Sequence, residues 1–245
     1  MGNLNKSLLL NTDALSLLQL VDDDSVRLIW TDPPFGTSDV QRIVSSGLAY
    51  SDLNVVDVLD LFKLLIPEMS RVLKADGTIA VCLDYRAVHQ VYCLFLEFGF
   101  VPHKEIVWTF GLGNGGSKWW ANKHNTVLLF GKSLNKPLFN ADAVPLIERK
   151  SPVAGYQGLK KVASVWDITL SNTAPERVGY PSQKPESLIE PFVLVHTEEE
   201  DFVLDPFGGS GTTAAVAQKH NRLFITGDIN NDAVDVMKER LNYCG

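Results

Sequence analysis

The chain has 245 residues, of which 45% are hydrophobic and 21% charged. This length fits one domain with an insertion, and the composition excludes disordered, collagen-like and coiled-coil proteins. No run reaches the roughly 18 apolar residues of a membrane span, and the first residues lack an apolar signal-peptide core. We therefore expect a cytoplasmic protein with no membrane partner.

Positive charge is concentrated in the middle of the chain. The net charge is −7, but residues 104–184 contain 11 Lys or Arg and 5 Asp or Glu, a net charge of +6. A face that binds a polyanion and an ordinary solvated basic surface both fit this distribution. The three cysteines and five histidines show no metal-ligand spacing, so we predict no metal site. Cys82 and Cys93 are expected to be buried.

Helical and strand patterns alternate along the chain. Apolar runs predict strands over 27–31, 78–83, 100–110, 126–130, 202–204 and 222–226. Helical spacing predicts helices over 52–74, 86–98, 186–196, 214–220 and 232–241. Residues 132–179 have weak periodicity and are interpreted as an irregular insertion between the segments 1–131 and 180–245. The alternation predicts an α/β fold with a mostly parallel, doubly wound sheet.

A glycine-rich turn follows the strand over 202–204. Gly208, Gly209 and Gly211 tolerate positive φ and leave room for a bound cofactor, and Ser210 or Thr212 would cap the next helix. Asp228 ends the following strand, where a carboxylate suits the hydroxyls of a ribose. A nicotinamide or flavin dinucleotide, S-adenosylmethionine and a purely structural turn all fit this pattern.

A second turn, Asp32-Pro33-Pro34-Phe35, follows the strand over 27–31. Two prolines make a rigid bend that displays a carboxylate, backbone carbonyls and a phenyl face. An exocyclic amino group on a flat heteroaromatic ring needs such acceptors and such a stacking surface. A turn that only closes the strand is the alternative for Asp32.

Together these motifs resemble the β class of DNA amino-methyltransferases. The matching residues are Asp32–Phe35, Leu73–Gly77, His124–Lys132, Tyr180-Pro181-Ser182-Gln183-Lys184-Pro185 and Asp205–Thr213. The resemblance implies a Rossmann-like S-adenosylmethionine-dependent methyltransferase fold with circularly permuted motif order, because the catalytic turn precedes the cofactor loop. It also implies that residues 132–179 are the target-recognition insertion. The chain departs from the family pattern at Phe35, usually Tyr, at Tyr180 and Ser182, and at Asp228, usually Glu.

The resemblance assigns roles to individual residues. The expected reaction is methyl transfer from S-adenosylmethionine to an exocyclic amino nitrogen of a base flipped out of double-stranded DNA. The catalytic residues would be Asp32, Pro33, Pro34 and Phe35. The cofactor-binding residues would be Asp13, Ser182, Lys184, Asp205, Phe207, Gly208, Gly209, Ser210, Gly211, Thr212 and Asp228. The DNA-binding residues would be Lys118, Trp119, Trp120, Lys123, Arg149, Lys150, Lys160 and Lys161. A helix cap remains the alternative for Asp13, and core packing for the tryptophans.

Adenine N6 is the expected target, because Asp-Pro-Pro-aromatic turns are more typical of adenine enzymes and Ser-Pro-Pro turns of cytosine-N4 enzymes. A cytosine-N4 DNA methyltransferase is the first alternative. A catalytically silent DNA-binding relative and a nicotinamide-dependent dehydrogenase are the competing hypotheses from other classes. The resemblance further implies a bacterial or phage-infected host, a homodimer as a hypothesis, and a cognate restriction enzyme as a partner.

Overall fold

The computed structural model describes residues 6–37, 40–42, 49–111, 120–134, 137–149, 158–171 and 173–243. Their strands are β1 (Leu8–Asn11), β2 (Val26–Thr31), β3 (Val40–Arg42), β4 (Ala49–Ser51), β5 (Leu73–Leu83), β6 (Val101–Thr109), β7 (His124–Gly131), β8 (Leu146–Glu148), β9 (Leu159–Lys161), β10 (Val165–Asp167), β11 (Phe202–Asp205) and β12 (Leu223–Asp228). Their helices are α1 (Ala14–Gln19), α2 (Val55–Val72), α3 (Val88–Glu97), α4 (Glu186–His196), α5 (Thr212–Lys219) and α6 (Asn231–Leu241), with a short 3₁₀ turn at Ala141–Ala143.

Eight strands form the central sheet in the order β1-β12-β11-β2-β5-β7-β6-β10. The pairs from β1 to β5 are parallel. Only β7 runs against its neighbours among the strands of this sheet, and β10 pairs parallel with β6. The predicted α/β fold with a mostly parallel sheet is confirmed.

The helices cover both faces of the sheet, as a doubly wound fold requires. One core cluster joins α1, α2 and α3 to one face, through residues such as Leu17, Phe62 and Phe95. The other joins α4, α5 and α6 to the opposite face, through Phe192, Val216 and Met237. Each helix therefore buries its apolar stripe against one of the two faces of the sheet.

The boundary between α2 and β5 differs from the prediction. Helix α2 begins after Asn54, whose side chain accepts a hydrogen bond from Asp57 N (3.0 Å). The helix was predicted over 52–74, but it ends at Val72 and β5 begins directly at Leu73. The register between β2 and β5 shifts here by a bulge, and a Cβ on Gly77 would lie 2.9 Å from Arg27 O. Glycine therefore permits this close strand approach.

Several short elements have no counterpart in the sequence predictions. They are β1, α1, the hairpin β3–β4, and three strands within residues 132–179. In that insertion β8 and β9 form an antiparallel hairpin, while β10 extends the central sheet. Cys93, expected to be buried, is exposed on α3. Among the described residues, no helix is long and apolar enough to cross a membrane.

Candidate active site

The strand ends converge at one edge of the sheet. Because β2, β11 and β12 are parallel neighbours, the residues that follow them meet at the same edge. Asp32 follows β2, while Asp205 and Asp228 are the last residues of β11 and β12. The two turns predicted from sequence are therefore brought together, although more than half of the chain separates them.

The carboxylate of Asp32 is largely buried, with its side chain 19% exposed. Its Oδ2 accepts a short hydrogen bond from Lys184 Nζ, while Oδ1 accepts none from a nitrogen or oxygen of any described residue. Burial raises the pKa of Asp32, and the Lys184 ammonium opposes that rise. The thiol of Cys82 lies beside this carboxylate, and burial raises its pKa too. Asp32 thus retains one buried acceptor atom for a hydrogen-bond donor.

Lys184 links the Asp32 turn to the segment before α4. Its ammonium also donates to Ser182 O (3.2 Å) and lies 4.9 Å from the centre of the Phe35 ring. Ser182 adopts a positive φ of 58°. The ion pair fixes the Phe35 ring beside the carboxylate, because the cation contacts both groups.

Two constraints shape the glycine loop. Gly209 and Gly211 have φ of 49° and 72°, so both require the left-handed region. A Cβ on Gly208 would lie 2.5 Å from Thr226 Oγ1 and 2.6 Å from Met237 Sδ. Gly208 is therefore needed for packing against β12 and α6, and its role in leaving room for a cofactor stays a prediction.

The predicted cap of α5 is wrong. Gly211 occupies the N-cap position and no side chain caps the helix. The hydroxyl of Thr212 instead donates to Lys184 O (3.1 Å), and Ser210 Oγ lies 3.0 Å from Thr212 Oγ1. These hydroxyls join the glycine loop to the chain around Lys184.

Two further carboxylates organise the loop. Asp205 accepts hydrogen bonds from Phe207 N (3.0 Å) and Thr213 Oγ1 (2.5 Å), and burial raises its pKa to about 7. Asp228 accepts from Gly209 N (2.9 Å) and from Asn230 N (2.9 Å), and burial raises its pKa as well. Each oxygen still has a lone pair for a ligand.

A cleft of about 190 Å³ opens between the two turns. The predicted residues that line it are Asp32, Pro33, Pro34, Phe35, Ser182, Lys184, Asp205, Phe207, Gly208, Gly209, Ser210, Thr212 and Asp228. Three carboxylates against one ammonium favour a positively charged ligand, and the exposed side chain of Ile229 offers apolar surface beside Asp228. The cleft therefore offers hydrogen-bond acceptors and an apolar surface to the same ligand.

Arg240 joins the loop to α4 from below the cleft. Its Nη1 donates to Ser210 O (3.1 Å) and Thr212 Oγ1 (3.0 Å), and its Nη2 donates to Glu186 Oε1 (2.6 Å). Its side chain is only 7% exposed. Arg240 was not predicted as a site residue, because a basic residue in the last turn of a helix ordinarily suggests a solvated end.

Other residues of the cleft also escaped prediction. Tyr180 is buried and its ring lies against Gly209, 3.4 Å from where a Cβ would be. Asn230 caps α6 and lines the cleft with Thr213 and Ile229. The Asn230-Asn231-Asp232 run before the last helix was an available capping signal.

Asp13 lies away from the described lining of the cleft. It is the N-cap of α1, and its side chain accepts from Ser16 N (2.9 Å) and Ser16 Oγ (2.6 Å). The hydrogen bonds from Ser16 lower its pKa. The helix-cap alternative therefore accounts for its observed contacts, and an adenine-binding role stays a prediction.

The predicted DNA-binding residues form two described groups. Trp120 is 83% exposed, and Lys123 Nζ donates to Gly111 O (3.1 Å) just before β7. Arg149, Lys160 and Lys161 are exposed on or beside the β8–β9 hairpin. Lys118, Trp119 and Lys150 lie outside the described residues. The exposure of Trp120 rules out the alternative that this side chain packs in the core.

Comparison with known proteins identifies relatives over nearly the whole chain. The sequence profile of a family described as DNA methylase matches residues 26–239. Type II methyltransferase M.HpaI of Haemophilus parainfluenzae is 30% identical over 236 residues, 96% of this chain and 74% of that protein. DNA adenine methyltransferase YhdJ of Escherichia coli (strain K12) is 30% identical over an alignment of 258 positions, which covers 98% of this chain and 84% of that protein.

The fold is also similar to a solved methyltransferase. The structure of PvuII DNA methyltransferase (cytosine-N4-specific) has a TM-score of 0.74 and 22% sequence identity, and the match covers 98% of this chain and 90% of that chain. The chain therefore has the Rossmann-like methyltransferase fold expected from its sequence.

Proposed function

The chain belongs to this DNA methylase family, and we propose that it transfers a methyl group from S-adenosylmethionine to the exocyclic N6 of adenine in double-stranded DNA. The observation that carries this proposal is the buried carboxylate of Asp32, which keeps Oδ1 without a nitrogen or oxygen donor beside the Phe35 ring. Family membership excludes the nicotinamide-dependent dehydrogenase.

Asp32 and the proline turn bind the target amino group. The amino nitrogen is a weak nucleophile because its lone pair is delocalised into the ring. Asp32 Oδ1 and the backbone carbonyl of Pro33 accept its two N–H bonds, which favours a tetrahedral nitrogen with a localised lone pair. Phe35 stacks on the base, which must leave the duplex to reach this turn. Alignment of the reacting atoms alone can supply roughly 7–11 kcal/mol.

The glycine loop and its carboxylates hold the methyl donor. S-Adenosylmethionine supplies the electrophilic methyl group when bound. The loop of Asp205, Phe207, Gly208, Gly209, Ser210, Gly211 and Thr212 would hold it, with Asp228 at the ribose, Ser182 and Lys184 toward the methionine end, and Asp13 toward the adenine. The acidic side chains of the cleft suit the positively charged sulfonium of this cofactor. They would repel the negatively charged phosphates of a nicotinamide or flavin dinucleotide.

Residues 132–179 are proposed to recognise the DNA target, between a catalytic half formed by residues 1–131 and a cofactor-binding half formed by residues 180–245. Arg149, Lys150, Lys160 and Lys161 would bind phosphates there, and Lys118, Trp119, Trp120 and Lys123 would line the DNA channel. A homodimer and a cognate restriction enzyme stay predictions from the family resemblance.

The test is transfer of labelled methyl to mixed-sequence duplex DNA, followed by digestion to nucleosides. We expect label in N6-methyladenosine, and a loss of about 10²–10³-fold in kcat for Asp32→Asn, comparable to the loss of one preorganised hydrogen-bond donor from an active site. Asp60→Asn, an exposed aspartate on α2, is the matched control and should be fully active. Cofactor binding by calorimetry checks that Asp32→Asn remains folded.

The outcomes separate the competing hypotheses. Label in N4-methylcytidine would identify a cytosine-N4 enzyme, which is the second candidate because the PvuII enzyme of similar fold is cytosine-N4-specific. Cofactor binding with no label in DNA would identify a silent relative. Full activity of Asp32→Asn would contradict the proposed role of its carboxylate.

A further inference from the structure

An exposed aromatic and cationic pair follows β5 at the edge that carries Asp32. The Tyr85 ring is 53% exposed, and the Arg86 guanidinium carbon lies 4.8 Å from its centre. Building on the proposed function, we propose that this pair binds the DNA strand beside the flipped nucleotide, with Arg86 on a flanking phosphate and Tyr85 against the adjoining sugar or base.

A buried acid holds this pair in place. Asp84 is 4% exposed, and its Oδ1 accepts hydrogen bonds from Arg86 N (2.9 Å) and Arg86 Nη1 (3.0 Å). The Arg86 side chain is still 38% exposed. One edge of the guanidinium is therefore committed to Asp84, while the remaining N–H groups can donate to a phosphate.

The same acid binds the segment before β7. Asp84 Oδ2 accepts from Asn122 Nδ2 (3.1 Å). Asn122 lies between the exposed Trp120 and the partly buried Lys123, which are already proposed to contact DNA. Asp84 thus links the Tyr85–Arg86 pair to the segment that carries Trp120 and Lys123.

The strand register places this surface next to the catalytic turn. β2 and β5 are parallel neighbours with Thr31 opposite Val81, so Asp32 stands level with Cys82. Four peptide units connect Cys82 to Arg86, and such a stretch spans at most about 14 Å. A base held at Asp32 would therefore have its own backbone within reach of Arg86.

The chemistry of the pair suits a nucleic acid strand. Guanidinium groups bind phosphates through several N–H donors, and aromatic faces stack on bases or sugars of any sequence. A contact of this kind positions the strand without reading its sequence. The sequence read by the insertion should therefore be unaffected by a change at Arg86.

Fluorescence anisotropy with a labelled mixed-sequence duplex, titrated with salt, tests the proposal. Arg86→Gln should weaken binding about fivefold to tenfold near 0.1 M salt and reduce the slope of log K against log salt by about 1, as loss of one phosphate contact requires. Arg86→Lys should restore most of the slope. Lys219→Gln makes the same charge change at the far end of α5, away from the cleft, and should leave the slope unchanged.

Asn122→Ala breaks the bridge to Asp84 but keeps both cations, so its slope should equal that of the wild type. An unchanged slope in Arg86→Gln, or an equal reduction in Lys219→Gln or Asn122→Ala, would overturn the inference. Failure of the wild-type protein to bind and methylate DNA would instead overturn the proposed function. Calorimetry with S-adenosylmethionine should give the same affinity for Arg86→Gln and wild type, since Arg86 lies outside the cleft.

Discussion

Arg240 is expected to stabilise both the fold and the glycine loop. Arg240→Met removes hydrogen bonds to Ser210 O and Thr212 Oγ1 and an ion pair with Glu186. The side chains of the pair are 7% and 26% exposed. Removing one partner of a buried pair costs about 3–5 kcal/mol, and the partial exposure of Glu186 places the loss near 3 kcal/mol. For a chain of this size that lowers Tm by roughly 6–12 °C.

Thermal and urea unfolding measure the loss, with Lys219→Met as the control. Lys219 pairs with Glu190 on the surface and is 53% exposed, so its replacement should cost at most about 1 kcal/mol. Calorimetry with S-adenosylmethionine should show weaker binding in Arg240→Met than in Lys219→Met, because Arg240 holds two residues of the loop. A loss below about 1 kcal/mol, or equal cofactor affinity in both variants, would refute this reasoning.

Three other variants test the loop and the acid groups. Gly211→Ala should lower the free energy of unfolding in urea more than Gly99→Ala does. Both glycines have a positive φ, which costs about 1–2 kcal/mol for alanine. Only at Gly211 would the new Cβ also clash with α6, 2.9 Å from Met237 Cγ. Because burial raises the pKa of Asp205 to about 7, its contribution to stability is complete below its unfolded pKa and is lost as pH rises to about 7. Wild-type stability should therefore fall relative to Asp205→Asn across that range, by at most about 4 kcal/mol; parallel pH curves would contradict this. Lys184→Met removes the ammonium that lowers the pKa of Asp32, so the acid limb of kcat/KM should move to higher pH, and an unmoved limb would exclude that coupling.

Local sequence patterns predicted the longer helices and strands, because these contain enough residues for a helical or an alternating hydrophobic period to be recognised. The helix over 186–196 was predicted with its observed bounds, and β2 differs by one residue from the predicted 27–31. The four residues of β1 and the six of α1 are too short to show a period. The three residues of β10 become a strand because β6 offers an unpaired edge, a long-range cause that local pattern cannot contain.

The site was predictable where a motif directly follows a strand, because the carboxyl ends of parallel strands meet. That rule brought Asp32, Asp205 and Asp228 together correctly. The ion pair of Asp32 with Lys184 joins residues 152 positions apart. The sequence around either residue does not indicate which residue will be its partner. The contacts of Arg240 likewise depend on how α6 docks, which only the folded chain determines.

The pairing of β10 with β6 limits how the insertion could be exchanged between relatives. Val165–Asp167 continues the central sheet, and Trp108 Nε1 donates to Ile168 O (2.8 Å) across that seam. A chimera that replaced all of residues 132–179 would remove the three-residue edge strand β10 and leave the nine-residue strand β6 as the edge of the sheet. A longer exposed edge strand invites aggregation. Grafts that retain residues 165–168 would keep the pairing of β10 with β6, so changes to the proposed target-recognition segment are better confined to the β8–β9 hairpin.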